Sequence, residues 1–284
     1  ERGKISSIVH YHNSYFVGFL MDGILLLEKQ KETNHYQIQS LPINSGVFCL
    51  KKDRFQDVVW IGTDGQGVYL YWNPLYSIKS MVLSNYTEKI ERPVRAIYLD
   101  DERTFWVGTK GNGILKIYDY EFDKNISDCR AEVLTTSNSA LSSNAVYCFA
   151  KSHRNLLWIG DEEGLTYYSY REKRIKSIPI RIGNEDFKYI HDIYETADSE
   201  LWLASVGMGV VKARIAGTPD NPVIVDAQRY IINDGELGSN YFFTIYAENE
   251  ANLLFGNKGY GVFRYNETTN GLEPVSTHKY ENLT

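Results

Sequence analysis

Val59-Trp60-Ile61-Gly62-Thr63-Asp64-Gly65-Gln66-Gly67-Val68-Tyr69 returns as Phe105-Trp106-Val107-Gly108-Thr109-Lys110-Gly111-Asn112-Gly113-Ile114-Leu115. Looser copies surround Phe16, Trp158, Trp202 and Leu254. Aligned on these six anchors, the units are 44, 46, 52, 44 and 52 residues apart. Each unit has room for four short strands and four turns, the size of one propeller blade.

Working back from each anchor, a first strand is predicted about a dozen residues upstream. Its copies are Ile5-Ser6-Ser7-Ile8, Val47-Phe48-Cys49-Leu50, Val94-Arg95-Ala96-Ile97, Val146-Tyr147-Cys148-Phe149, Ile190-His191-Asp192-Ile193 and Phe242-Phe243-Thr244-Ile245. Positions one and four are apolar in every copy. Position three is small or short, which suits an innermost strand crowded at a shared axis. Position two varies. A polar turn such as Asp100-Asp101-Glu102-Arg103 leads to the second strand, which carries the Trp. The Gly-x-Gly that follows predicts a tight hairpin, since glycine permits φ > 0. Third strands are expected at Val68–Trp72, Ile114–Tyr118, Leu165–Tyr170, Val210–Ile215 and Val262–Tyr265. A turn such as Asn73-Pro74 or Asn266-Glu267-Thr268 precedes fourth strands such as Ile78–Val82 and Ile175–Ile180. Long surface loops are expected from about Glu121 to Ser143, at Ala216–Pro222 and at Asn233–Asn240. No helix-period segment is present.

The expectation is an all-β chain: one β-propeller region over 1–284, built of four-stranded antiparallel blades. Six blades fall at approximately 1–43, 44–90, 91–142, 143–186, 187–238 and 239–284, each supplying its own four strands. Composition agrees. The 22 Tyr and 12 Phe among 284 residues favour pleated, half-buried surfaces. A net charge of −6 offers no footprint for phosphate, so nucleic-acid binding is disfavoured. No apolar run reaches bilayer length, and Glu1-Arg2-Gly3-Lys4 has no signal-peptide pattern. Cys49, Cys129 and Cys148 lack the spacing of a zinc or redox motif.

Leu-Trp-Ile-Gly-Thr followed by Gly-x-Gly-Leu and a Tyr, with Leu-Ser-Ser-Asn-x-Val before it, resembles the two-component regulator propeller repeat. The residues carrying the likeness are Trp60–Gly67, Trp106–Gly113, Leu157–Gly164 and Leu141-Ser142-Ser143-Asn144-Ala145-Val146, echoed by Gly238-Ser239-Asn240-Tyr241-Phe242. The resemblance implies the periplasmic sensor region of a Bacteroides-type hybrid two-component histidine kinase. It implies seven-bladed propellers, with a membrane helix and kinase outside this chain. Six units therefore suggest part of a seven-bladed ring, with a closed six-bladed ring as the other possibility.

Candidate chemistry is weighed against structural readings. One Trp per repeat is read as blade core rather than a sugar-stacking set. The Gly-x-Gly turns lack the helix and the Lys-Ser/Thr of a phosphate loop. Asp161-Glu162-Glu163 and Asp64 supply turn acids, a weak case for metal or glycosidic chemistry. His10-Tyr11-His12 is read as a solvated turn after the first strand. No metal, cofactor or catalytic residue is expected, and the region is not read as an enzyme.

Position two of the inner strands is the leading candidate. Phe48, Arg95, Tyr147, His191 and Phe243 differ from blade to blade beside constant neighbours, and variation in a repeat points to recognition. Aromatic faces with Arg and His donors suit a glycan. Lys188 and Tyr189 in a link, and Lys110 and Tyr260 in hairpins, are expected around the same rim. Asn144 and Asn240 are read as fixing link backbone. The expected function is a ligand-sensing propeller that binds a glycan-derived oligosaccharide and controls polysaccharide-utilisation genes, with a homodimer expected through the full sensor region. The competing readings are a WD40-like interaction scaffold and a polysaccharide-active propeller enzyme.

Overall fold

The computed structural model describes residues 3–30, 35–72, 77–81, 83, 90–120, 129–233 and 238–275. Six four-stranded antiparallel sheets account for almost all of it, each built from one consecutive run of chain. Sheet one holds β1 (Ile5–Tyr11), β2 (Ser14–Phe19), β3 (Ile24–Lys29) and β4 (Tyr36–Ser40). Sheet two holds β5 (Val47–Lys52), β6 (Val58–Thr63), β7 (Val68–Trp72) and β8 (Ser77–Met81). Sheet three holds β9 (Val94–Leu99), β10 (Phe105–Thr109), β11 (Ile114–Ile117) and β12 (Ala131–Leu134). Sheet four holds β13 (Val146–Lys151), β14 (Leu156–Asp161), β15 (Leu165–Ser169) and β16 (Arg174–Ser177). A two-stranded ribbon follows, β17 (Arg181–Ile182) and β18 (Glu185–Asp186). Sheet five holds β19 (Ile190–Glu195), β20 (Glu200–Ser205), β21 (Gly209–Thr218) and β22 (Asn221–Tyr230). Sheet six holds β23 (Phe242–Asn249), β24 (Asn252–Asn257), β25 (Gly261–Asn266) and β26 (Gly271–Pro274). No α-helix occurs among the described residues. The first three sheets form one compact unit and the last three another.

Within each unit one packing device recurs. Position three of the first strand pairs across the sheet with the small residue two places after the anchor: Ser7 with Gly18, Cys49 with Gly62, Ala96 with Gly108. Asp192 with Ala204 and Thr244 with Gly256 continue the series. The pair leaves a hole, and position one of the next sheet fills it. A Cβ on Gly18 would lie 2.7 Å from Val47, one on Gly62 3.1 Å from Val94, and one on Gly160 2.8 Å from Ile190. The neighbouring sheet's knob therefore requires a glycine opposite position three in these sheets.

The anchor tryptophans are buried, as blade core requires. Trp60 stacks on Phe105 of the following sheet at 4.3 Å, and Trp202 packs on Phe255 and Tyr265. The Trp60 indole N–H donates to Asp53 at 2.8 Å and that of Trp106 to Asp100 at 2.9 Å. The same carboxylates cap the turns, Asp53 accepting from the backbone N–H of Phe55 and Gln56, Asp100 from Glu102 and Thr104. Sheet four has Ser152 at this place, and Trp158 donates instead to Glu195 of the next sheet at 2.6 Å.

Two outer faces differ. Position 262 is 40% exposed in sheet six, whereas its counterparts Ile24, Val68, Ile114, Leu165 and Val210 are buried. Ile5 and Ile8 of sheet one are also exposed, unlike Val47 and Leu50.

Several boundaries depart from expectation. Ala216–Pro222 is not a loop: β21 and β22 continue as a long hairpin through it, past a register shift at Arg214/Ile215. The stretch expected to loop from Glu121 to Ser143 contains β12, the fourth strand of sheet three, and its residues 121–128 lie outside the described residues. Of Asn233–Asn240, residues 234–237 lie outside them too, as do Asn73, Pro74 and Val82. The strand expected at Ile175–Ile180 ends at Ser177, because Ile178 and Ile180 turn inward to the core beside the ribbon. His10 and Tyr11 belong to β1, and only His12 lies in the turn, where its ring nitrogen meets Asp57 at 2.7 Å.

Candidate functional site

The inner strands begin beside the links between sheets, and the hairpins return to the same place. Asp64 N–H donates to Gly46, Lys110 to Pro93, Val206 to Tyr189 and Lys258 to Tyr241, each joining a hairpin to the link of its own sheet. Hairpins also hold the next link. The N–H groups of Gly111 and Gly113 both donate to the Asn144 carbonyl at 2.9 Å, and those of Gly207 and Gly209 to the Asn240 carbonyl. The Asn side chains complete the joint. Asn144 Oδ1 accepts from Thr136 N–H, and Asn240 bonds Ile232 through both its amide groups. A side chain at Gly113 would strike the Leu134 carbonyl and its φ is +76°, so glycine is required there.

This end displays the variable column through a β-bulge. Register shifts between positions one and three of the first strand in sheets one, two, five and six: Ile5/Ser7, Val47/Cys49, Ile190/Asp192 and Phe242/Thr244. In sheet three the matching shift leaves Arg95 between Val94↔Thr109 and Ala96↔Gly108. In these five sheets the bulged residue is position two. A bulge releases one residue from cross-strand pairing and re-aims its side chain. The column expected to vary is thus the one the backbone turns out of the ladder.

The re-aimed side chains meet their neighbours. The Arg95 guanidinium lies 3.6 Å over the Phe48 ring. In the other unit, Tyr147 and His191 stack at 4.3 Å with planes 20° apart, and His191 meets Phe243 edge-on at 5.2 Å. All five are half-buried. Beneath them, position three stitches sheets together, a role the sequence did not suggest. Ser7 Oγ accepts from Leu50 N–H at 3.1 Å. Asp192 accepts from Ile245 N–H at 2.7 Å and the Thr244 hydroxyl at 3.0 Å. The only signal was the polar character of Ser7 and Asp192 beside the apolar Ile8 and Ile193.

Of the rim residues, Lys188 pairs with Glu163 at 2.5 Å and donates its backbone N–H to the Met208 sulfur. Tyr189 and Tyr260 are exposed, in a link and a hairpin respectively. Lys110 is exposed in the hairpin of sheet three. The structure places Phe48, Arg95 and Lys110 in the first unit and Tyr147, Lys188, Tyr189, His191, Phe243 and Tyr260 in the second.

Asp64 belongs to the first unit and Asp161, Glu162 and Glu163 to the second. Asp161 is buried and caps its own hairpin, its Oδ1 accepting from Glu163 and Gly164 N–H. Burial pushes its carboxyl up to about 6, opposed by hydrogen bonds from Glu163, Ser142, Gly164 and Ser143. Among the described residues no group of three or more His, Cys, Asp or Glu is placed to hold a metal ion.

Repeated four-stranded blades joined at a link-and-hairpin end define a β-propeller. Solved structures share that fold. The chain is similar to the extracellular domain assigned to a hybrid two-component system of B. thetaiotaomicron, with a TM-score of 0.69 at 20% identity, over 97% of this chain and 34% of that one. It is also similar to PorZ, a surface component of the type-IX secretion system of Porphyromonas gingivalis (TM-score 0.63, 14% identity, 92% of this chain, 38% of that one). Virginiamycin B lyase from Staphylococcus aureus matches at a TM-score of 0.68 and 14% identity, over 97% of this chain and 86% of that one. This chain spans about a third of the length of the B. thetaiotaomicron domain. No family model and no curated protein sequence matches it.

Proposed function

We propose that this chain is the ligand-sensing part of an extracytoplasmic receptor of the two-component type, and that it binds an oligosaccharide at the inner column of its second unit, where Tyr147, His191 and Phe243 meet. The observation that carries the reading is the bulge itself. A device repeated in five sheets aims Phe48, Arg95, His191 and Phe243 out of the ladder, and these residues differ between sheets whose cores are alike. Flat aromatic faces with Arg and His donors between them suit the apolar faces and hydroxyl edges of sugar rings. The nearest inner-strand carboxylate, Asp192, is consumed in stitching sheets five and six, which favours binding over hydrolysis. The likeness to the extracellular domain of a B. thetaiotaomicron hybrid two-component system supports a sensor role and an extracytoplasmic setting. Signalling would follow if the saccharide binds one arrangement of two receptor copies better than another, with the membrane helix and histidine kinase carried elsewhere in the protein.

Calorimetric titration of the chain with a panel of glycan-derived oligosaccharides tests this. One or more should bind, and Tyr147→Ala with His191→Ala should weaken binding at least tenfold. Equal affinity for wild type and the double variant would remove the inner column from the site.

A further inference from the structure

We propose that Tyr189, Tyr241 and Tyr260 form a second stacking surface, at the outer rim of the link-and-hairpin end, that takes neutral pyranose rings. The inference rests on the oligosaccharide reading above and adds a subsite to it. Among the described residues, eight non-glycine residues have positive φ. Seven of them, His12, Arg103, Asp119, Asn155, Lys173, Ser199 and Asn270, lie between consecutive strands of one sheet. Of these eight, Tyr189 is the one that lies in a link between sheets, at φ 54°. A bulky aromatic in the left-handed region is strained, and persists only where its surroundings over-determine it. Here they do. Its N–H donates to the Glu162 carbonyl at 3.0 Å and its carbonyl accepts from Val206 at 3.1 Å. The residue nonetheless stays 41% exposed. Strain held at a residue left this open points to presentation of the ring.

Two further exposed tyrosines continue the surface. Val206, bonded to Tyr189 on one side, forms an antiparallel bridge with Tyr241 on the other. Two steps across hydrogen-bonded backbones set Tyr189 and Tyr241 about 10 Å apart, the span of two sugar rings in an extended chain. Tyr241 in turn accepts from Lys258 N–H, and Tyr260 follows in that hairpin. Tyr241 and Tyr260 are 41% and 46% exposed. The Lys258 ammonium lies 4.8 Å from the Tyr241 ring, polarising one face. The nearby cation Lys188 is held by Glu163, with Glu162 beside it, so at the Tyr189 end a uronate would meet acids, while the Lys258 charge lies over the Tyr241 ring.

The test titrates cellohexaose, xylohexaose, mannohexaose and a hexagalacturonate into wild type, Tyr189→Gly, Tyr260→Ala and His191→Ala, with melting curves for each. Glycine adopts the Tyr189 conformation freely, so Tyr189→Gly should melt no lower than wild type. It should also weaken a neutral hexaose at least tenfold, as should Tyr260→Ala, and the hexagalacturonate should bind worst. Rim variants within twofold of wild type, with His191→Ala weakened, would overturn the rim subsite and leave the inner column standing. A melting point lowered by more than about 5 °C in Tyr189→Gly would make Tyr189 structural and overturn the proposal. Tightest binding of the hexagalacturonate would overturn the neutral class. Wild type that binds no hexaose would sink the function reading and this subsite together.

Discussion

Val47 seats on Gly18, its Cγ1 2.7 Å from the point where a Cβ on that glycine would stand. The same knob and hole recur at Val94 with Gly62 and at Ile190 with Gly160. They explain why two columns of the repeat, one apolar and one small, hold while the column between them varies.

Overpacking one hole tests this. Gly62→Ala would put a methyl 2.5 Å from Cys49 Sγ and 3.1 Å from Val94. It should cost about 1–3 kcal/mol in urea unfolding. Cys49→Ala in the same chain should restore part of the loss, since it removes the closer atom. An additive double variant would show that the hole is not shared.

The carboxylate under Trp106 should be a large single contributor. Asp100→Ala leaves the Trp106, Glu102 and Thr104 donors without their acceptor. The expected cost is about 2–4 kcal/mol. Asp100→Asn keeps one acceptor oxygen and should cost less. Similar costs for the two variants would assign the effect to charge rather than to hydrogen bonding.

Asp161 predicts a pH dependence. Its carboxyl is raised from 3.8 to about 6 by burial, so folding disfavours the ionised form. The unfolded chain ionises first. Stability should therefore rise as pH falls from about 7 through 6, and this contribution should level off below about 4. The swing is at most about 3 kcal/mol. Asp161→Asn should flatten that part of the profile and stabilise the fold at pH 8. An unchanged profile would mean that Asp161 titrates normally.

Sheet six supplies an internal control. Val262 is exposed where Val210 and Val68 are buried. Val262→Asp should change stability by less than about 0.5 kcal/mol, and Val210→Asp by more than about 3 kcal/mol. Equal losses measured by thermal melting would mean that position 262 is covered in solution.

Much of this was legible in sequence, because each repeat tests the others. The anchors Trp60, Trp106, Trp158 and Trp202 read as core, and the strand columns fell into place around them. Column two was legible as the variable position, but its bulge was not. A bulge is a property of register, and Arg95 looks like any strand residue until Val94 and Ala96 are seen paired past it. The long hairpin of β21 and β22 was missed because Gly217, Pro219 and Pro222 read as loop punctuation. The structure places Gly217 at φ 84° inside the hairpin and Pro222 on the edge strand, where proline is tolerated. The ribbon of β17 and β18 is too short for any period to show. Tyr241 was passed over as a neighbour of Asn240, since nothing in one sequence reports that a ring is exposed.

The central claim is that the bulged column and its rim hold the ligand. Hydrogen–deuterium exchange of the chain, with and without a bound oligosaccharide, tests it most directly. The account predicts slowed exchange at the starts of β5, β9, β13, β19 or β23 and in the adjoining links and hairpins. Protection confined to the outer strands β4, β12, β16 and β22, with the inner strands unchanged, would contradict it.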